Sequence, residues 1–262
     1  MAIQPPPPRV YFILGTPGAG RRTIVRGLIE GGLDAGEPAL GFLAESETPD
    51  PADAALAALL PDGVQRWRWT PPVPPALPVL PGLPLPASAV AFFLADARAS
   101  PIDQLEALLP WLEVHQARLA RIFTVVDCAF AEKTPPLRPW FEACIHFSDA
   151  VFLTNRTGVA NKWLSDFIQH FKAESYPCHF IQIKKGKVPN PALMLDPTPR
   201  RISQYFDERE QLPEVVVDAE DADDDAEAAA ELAPPPEPYF ERMRSGRRVK
   251  ELPDIRHYLP GK

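Results

Sequence analysis

The feature that most restricts the fold is a glycine-rich turn set between an apolar run and a helix-like segment. Val10-Tyr11-Phe12-Ile13-Leu14 is an unbroken apolar run, the pattern of a short strand buried on both faces. Gly15-Thr16-Pro17-Gly18-Ala19-Gly20 follows. Arg22–Ile29 then reads as a helix, with Ile24, Val25, Leu28 and Ile29 on one face and Gly31-Gly32 ending it. Glycines allow several backbone amides to point at one centre, and the helix N-terminus adds partial positive charge, so such a loop can cradle phosphate groups. The alternative is a glycine turn without chemical meaning.

The alternation that begins here continues along the chain. Leu40–Ala44, Val90–Ala95, Arg121–Val126, Ala150–Thr154 and Cys178–Ile183 read as strands. Ala52–Leu60 (stopped by Pro61), Ile102–Leu109, Leu137–Phe147 and Ala160–Phe171 (opened by Gly158) read as helices. Repeated βαβ units predict an α/β fold: a three-layer P-loop NTPase-like domain with a mostly parallel sheet over residues 9–206. Residues 1–8 are Pro-rich. Eight of the chain's 34 prolines fall in 71–86, which predicts an extended loop outside the compact fold, because proline lacks an amide donor and fixes φ.

Nine acids and no Lys or Arg occupy residues 214–231, so of the net charge of −8 little belongs to the rest of the chain. That near-neutral remainder offers no clear case for nucleic acid or membrane. Residues 207–233 read as an acidic, disordered linker, and 234–262 as a basic, aromatic tail with Tyr239, Phe240, Arg242, Arg244, Arg247, Arg248 and Lys250. The tail is the candidate segment for docking a protein partner. Proteolysis is expected to cut the acidic linker first and leave a fragment ending near residue 206. Three scattered cysteines, Cys128, Cys144 and Cys178, argue for a reducing compartment. With no apolar window of about 18 residues, the expected location is cytoplasmic.

The phosphate-loop pattern G-x-x-x-x-G-K-[ST] places its Lys at Arg21 and its magnesium-binding hydroxyl at Arg22. Arg21 could still reach phosphate, but a guanidinium at 22 has no lone pair for a metal. Thr23 sits one residue late, about 100° further around the helix. Gly15, Gly18, Ala19, Gly20, Arg21, Arg22 and Thr23 are therefore the candidate ligand-binding residues, joined by Asn155 below.

Several segments fall in the order of a known family. Phe42-Leu43-Ala44-Glu45 with Asp53-Ala54-Ala55-Leu56 resembles a V-N-E-x-G segment and its D-A-x-L. Leu94–Pro101 stands in the place of E-[ST]-x-G-x-A-x-P. Phe123-Thr124-Val125-Val126-Asp127 is similar to V-x-T-V-V-D, Ser148–Leu153 to A-D-x-I-x-L, and Asn190-Pro191-Ala192 to N-P-x-A. Over residues 9–195 the chain resembles the CobW-like metallochaperone GTPases, relatives of the hydrogenase and urease nickel-insertion GTPases. The resemblance implies GTP binding and metal or cofactor assembly.

The departures weigh against turnover. The base-reading N-K-x-D appears as Asn155-Arg156-Thr157-Gly158, and Gly158 has no carboxylate to accept from guanine. Asn155 is either a retained polar contact or a strand-end turn residue. Around Gly63 the family's G-C-x-C-C is Gly63-Val64-Gln65-Arg66-Trp67-Arg68-Trp69, without thiolates for a soft metal. This Arg/Trp alternation reads as a strand with a cation–π ladder or as an exposed partner-binding edge. If Pro101 anchors the third segment, its acid falls on Leu94 and its glycine on Ala97, with Asp96 able to replace the acid. Glu45 is a switch-region acid or a solvated loop residue, and Asp127 a cap for the next segment. Cys144 and His146 lie on different helix faces, and no histidine has a triad partner by spacing.

No catalytic or metal-ligating residue is assigned. The expected function is a degenerate CobW-like binding or regulatory module that takes GTP or another phosphate-containing ligand weakly. The alternatives are an active GTP-binding metallochaperone and an adaptor acting through its tail.

Overall fold

The computed structural model describes residues 5–47, 49–60, 63–207 and 236–259. Seven strands, β1 (Arg9–Gly15), β2 (Ala39–Ala44), β3 (Val64–Trp67), β4 (Val90–Leu94), β5 (Arg118–Asp127), β6 (Ala150–Thr154) and β7 (His179–Gln182), form one sheet in the order β3-β2-β4-β1-β5-β6-β7. Every pairing is parallel. The expected α/β, P-loop-like architecture is what the chain adopts.

Alternate side chains of each strand serve opposite faces. Tyr11, Ile13, Phe92, Leu94, Phe123 and Val125 pack under α1 (Arg21–Gly32), α2 (Ala52–Leu59) and α7 (Pro191–Met194). Val10, Phe12, Phe42, Phe93, Ile122 and Val151 face α3 (Pro101–Val114), α4 (Cys128–Lys133), α5 (Arg138–His146) and α6 (Asn161–Ala173). Phe93 is a hub of this second layer, with the rings of Phe12, Phe42, Trp67 and Trp111 at 5.3, 5.2, 5.0 and 5.4 Å. Burying a side chain of this size contributes about 2–3 kcal/mol.

Three expectations need correction. The helix expected to stop at Leu109 runs through Pro110 to Val114. An interior proline costs on the order of 3 kcal/mol, and the buried Trp111 and Leu112 just beyond it offset that cost. The proline-rich stretch is not outside the fold throughout: Leu80 and Leu83 are buried, Trp111 Nε1 donates to Pro81 O (2.9 Å), and His115 Nε2 lies 2.8 Å from Leu83 O. Backbone carbonyls that no sheet uses thus serve α3. Finally, Arg66 and Arg68 form no cation–π ladder. Trp67 and Trp69 turn inward, edge to face, while Arg66 pairs with Asp53 and Arg68 with Glu45.

Gly31 and Gly32 do more than end α1. A Cβ on Gly31 would meet Pro191 Cγ at 2.9 Å, and one on Gly32 would meet Leu195 Cδ1 at 2.7 Å and the Pro191 carbonyl carbon at 3.0 Å. The Asn190-Pro191-Ala192 segment therefore starts a short helix that lies against a glycine face of α1.

The tail folds back on its own domain. Tyr239 and Phe240 pack on Phe147, with ring centroids at 5.9 and 5.3 Å, and Ile255 is buried. Arg248 reaches Asp103 (2.6 Å) and Glu106 (2.5 Å) on α3, and Arg242 also holds Glu106. Glu237 accepts from Ser203 Oγ (2.6 Å) and pairs with His146 Nε2 (3.0 Å). Burial pushes the Glu237 carboxyl up, but the bonds from His146 and Ser203 outweigh it and hold the group below its usual range. Asp149, fully buried, ties the preceding segment in, accepting from Ile122 N (2.7 Å), Arg200 N (2.6 Å) and Arg201. Residues on the two sides of 208–235 are thus in direct contact. The segment read as a disordered linker lies outside the described residues, apart from Asp207.

Two outcomes follow. Gly32→Ala should lower stability by about 1–3 kcal/mol in urea denaturation, the usual cost of overpacking; wild-type stability would mean that α7 can shift away freely. After cleavage at a protease site inserted within 208–235, the two pieces should co-elute on gel filtration, instead of leaving a lone fragment ending near 206. Separation without denaturant would refute the docking of the tail.

Candidate functional site

The glycine loop sits at the carboxyl ends of the parallel strands, where open α/β sheets bind ligands. Gly15 closes β1 at φ +140°, and any Cβ there would lie 2.5 Å from Val125 O, so the close strand approach admits glycine alone. Gly20 precedes α1, and no side chain caps that helix.

Two residues from the end of β6 stitch the loop in place. Thr154 Oγ1 lies between the carbonyls of Ala19 (2.8 Å) and Val126 (3.0 Å). Asn155 Nδ2 donates to Asp127 Oδ2 (2.6 Å) and to Gly18 O (3.3 Å). Asn155 is at once a loop contact and a turn residue, with φ +47°. Asp127 caps α4 through Phe130 N (2.9 Å), so a single carboxylate positions both α4 and the loop. Gly158 takes φ +81°, a backbone that would strain an aspartate restored there.

Arg21 and Arg22, which directly follow the glycine loop, are committed to protein partners. Arg21 is buried at 4% exposure; it donates to Ala95 O (2.6 Å) at the end of β4 and ion-pairs with Glu47. Burial, and then the neighbouring Arg22, pull its guanidinium down to about 9, so it stays cationic at neutral pH. Arg22 Nε reaches Asp53 Oδ1 (2.7 Å) and Nη2 reaches Glu47 Oε2 (3.2 Å), with Asp50 at 3.6 Å. Glu47 thus bridges both guanidiniums where the first turn of α1 begins. The sequence makes both arginines candidate ligand-binding residues, and the fold sets three carboxylates on them.

Asp96 is buried beside this cluster, accepting from Ser46 Oγ (2.6 Å) and Arg98 N (2.9 Å). Leu94 and Ala97 are buried apolar residues. Glu45 is exposed and pairs with Arg68. Thr23 faces the other way from Arg22, onto a cleft of about 490 Å³ formed with Ala19, Gly20, Asn155, Arg156, Thr157 and the turn Ile183–Gly186. Sequence reasoning missed Glu47 and Asp50 as partners, and also the basic turn Lys184-Lys185-Gly186-Lys187. The latter was visible as a charge cluster after the last strand.

The cysteines are free and buried; burial pushes Cys128 and Cys178 up to about 12 and Cys144 well above its usual range, so the thiols stay protonated. Among the described residues no group of three His, Cys, Asp or Glu could hold a metal ion, and no helix is long and apolar enough to cross a membrane.

No protein-family model and no curated protein matches the chain. Among solved structures, the Zn(II)-bound YjiA GTPase from E. coli is similar, with 14% identity and a TM-score of 0.41 over 74% of this chain. The chain spans 66% of that protein's length. So distant a likeness adds no argument, and the P-loop-like fold rests on the sheet order and the glycine loop themselves.

The Arg21–Glu47 pair can be tested on its own. Glu47→Gln removes the countercharge of a buried guanidinium, so it should destabilise the protein by about 3 kcal/mol in urea denaturation at neutral pH. Unchanged stability would show that Arg21 does not depend on Glu47.

Proposed function

We propose that this chain is a degenerate CobW-like P-loop protein: a binding or regulatory module, linked to metal or cofactor assembly, that does not hydrolyse GTP efficiently. The observation that carries this reading is the carboxylate cluster on Arg21 and Arg22. Phosphoryl transfer needs cations and a metal to neutralise the charge that develops on the transferred group. Here the position of the metal-binding hydroxyl is a guanidinium, and the acids beside it would repel a triphosphate.

Guanine selection is weakened independently, since Gly158 offers no acceptor. Each lost charge-assisted hydrogen bond costs on the order of 1.5–3 kcal/mol, so losing two weakens binding by roughly a hundredfold or more. What remains, the glycine loop with Asn155 and Thr154 behind it, supports weak binding of a phosphate-containing ligand. The adaptor reading gains nothing from the tail, whose Tyr239, Phe240 and Ile255 face their own domain.

Calorimetry with GTP and ATP, with and without magnesium, together with a phosphate-release assay, tests the reading. Weak binding with little preference between the nucleotides, little response to magnesium and no turnover is expected. Micromolar, magnesium-dependent, guanine-selective binding with turnover would instead make the chain an active GTP-binding metallochaperone.

A further inference from the structure

We infer that the cleft beside the glycine loop binds a small phosphate-bearing anion on Arg156, Lys184 and Lys185, and not on Arg21 and Arg22. The inference deepens the binding-module reading and rests on it.

The two sides of the loop differ in charge compensation. On one side, an incoming anion would have to displace Glu47, Asp50 and Asp53 from the arginines. On the other, the cleft lining contains Arg156, Lys184 and Lys185 and no Asp or Glu. Arg156 is fixed by neutral acceptors, Gln182 Oε1 (2.7 Å) and Ile183 O (3.2 Å), so its charge is held in place without being cancelled. Its Nε is buried with no hydrogen-bond partner among the described residues. Lys184 and Lys185 are exposed, line the cleft and sit on a turn closed by the Lys184–Lys187 bridge.

The remaining walls suit the same ligand. Thr23 and Thr157 contribute hydroxyls, and the twelve-residue α1 begins at the cleft edge with no acid in its first turn and no side-chain cap. A volume of about 490 Å³ lies within the range of small-molecule sites. Its sparse apolar lining, Ile24 and Ile183 with Ala19, favours a compact polar ligand over a greasy one. A phosphate group concentrates up to two charges and three strong acceptor oxygens on one compact centre, whereas a polycarboxylate spreads its charges over separate groups along a larger molecule.

The test is calorimetric titration of the full chain with inorganic pyrophosphate, with citrate as the carboxylate arm. The doubly substituted Lys184→Gln, Lys185→Gln variant changes exposed residues only, so its fold should be intact by circular dichroism. Its pyrophosphate affinity should fall by about tenfold or more, the scale of a lost charge contact, while Arg22→Gln should stay within about twofold of wild type. Citrate should bind more weakly than pyrophosphate. The inference is overturned if pyrophosphate does not bind, if the lysine variant binds it like wild type, or if citrate binds as tightly. Loss in Arg22→Gln with the lysine variant unaffected would return the anion to the loop. Should Arg22→Gln fail to fold, the lysine variant decides alone. GTP turnover would refute the binding-module reading separately, leaving the lysine dependence readable.

Discussion

A guanidinium taken almost wholly out of water must be given a countercharge, and much of this site follows from meeting that demand at Arg21. Its stem fills the space beneath Gly15, its Nη1 bonds to the carbonyl that ends β4, and its charge is met by Glu47. Leaving such a group unpaired would cost several kcal/mol, and Glu47, Asp50 and Asp53 are accordingly drawn against the start of α1. Asp53 opens α2 and shares Arg22 and Arg66, which carries the same network to the β3 edge of the sheet. One buried arginine after the glycine loop thereby organises a whole corner of the domain.

The same network redistributes charge around the loop. On the β2 side, Glu47, Asp50 and Asp53 compensate the charges of Arg21, Arg22 and Arg66. On the β6–β7 side, Arg156 and the turn lysines meet, among the described residues, only neutral partners or solvent. A loop of backbone amides remains between these two fields, anchored by Thr154 and Asn155. The glycine loop thus lies between compensated arginines on one side and uncompensated cations on the other.

The opposite end of the sheet shows a comparable economy of means. Asp149 gathers Ile122, Arg200 and Arg201, while Glu237 gathers His146 and Ser203. These two buried carboxylates join the segment after β7 and the tail to the same edge. As a result Tyr239, Phe240 and Ile255 pack against the domain, and the described residues on the two sides of 208–235 lie in contact.

By itself the sequence determined the architecture: strand periodicity, helix faces and the glycine spacing are local properties, and local patterns dictate which face of each element is buried. It also determined the chemistry available at positions 22 and 158, because a guanidinium offers no hydroxyl and a glycine no carboxylate in any conformation. It did not reveal that α3 would pass through Pro110, that Gly31 and Gly32 would receive α7, or that the tail would dock at home. Nor did it reveal the partners of Arg21 and Arg22, since Glu47 and Arg21 lie far apart along the chain and nothing in either segment names the other. Those outcomes belong to the tertiary structure, for a physical reason: a charge or a close contact is assigned a partner only when packing decides which groups lose water together.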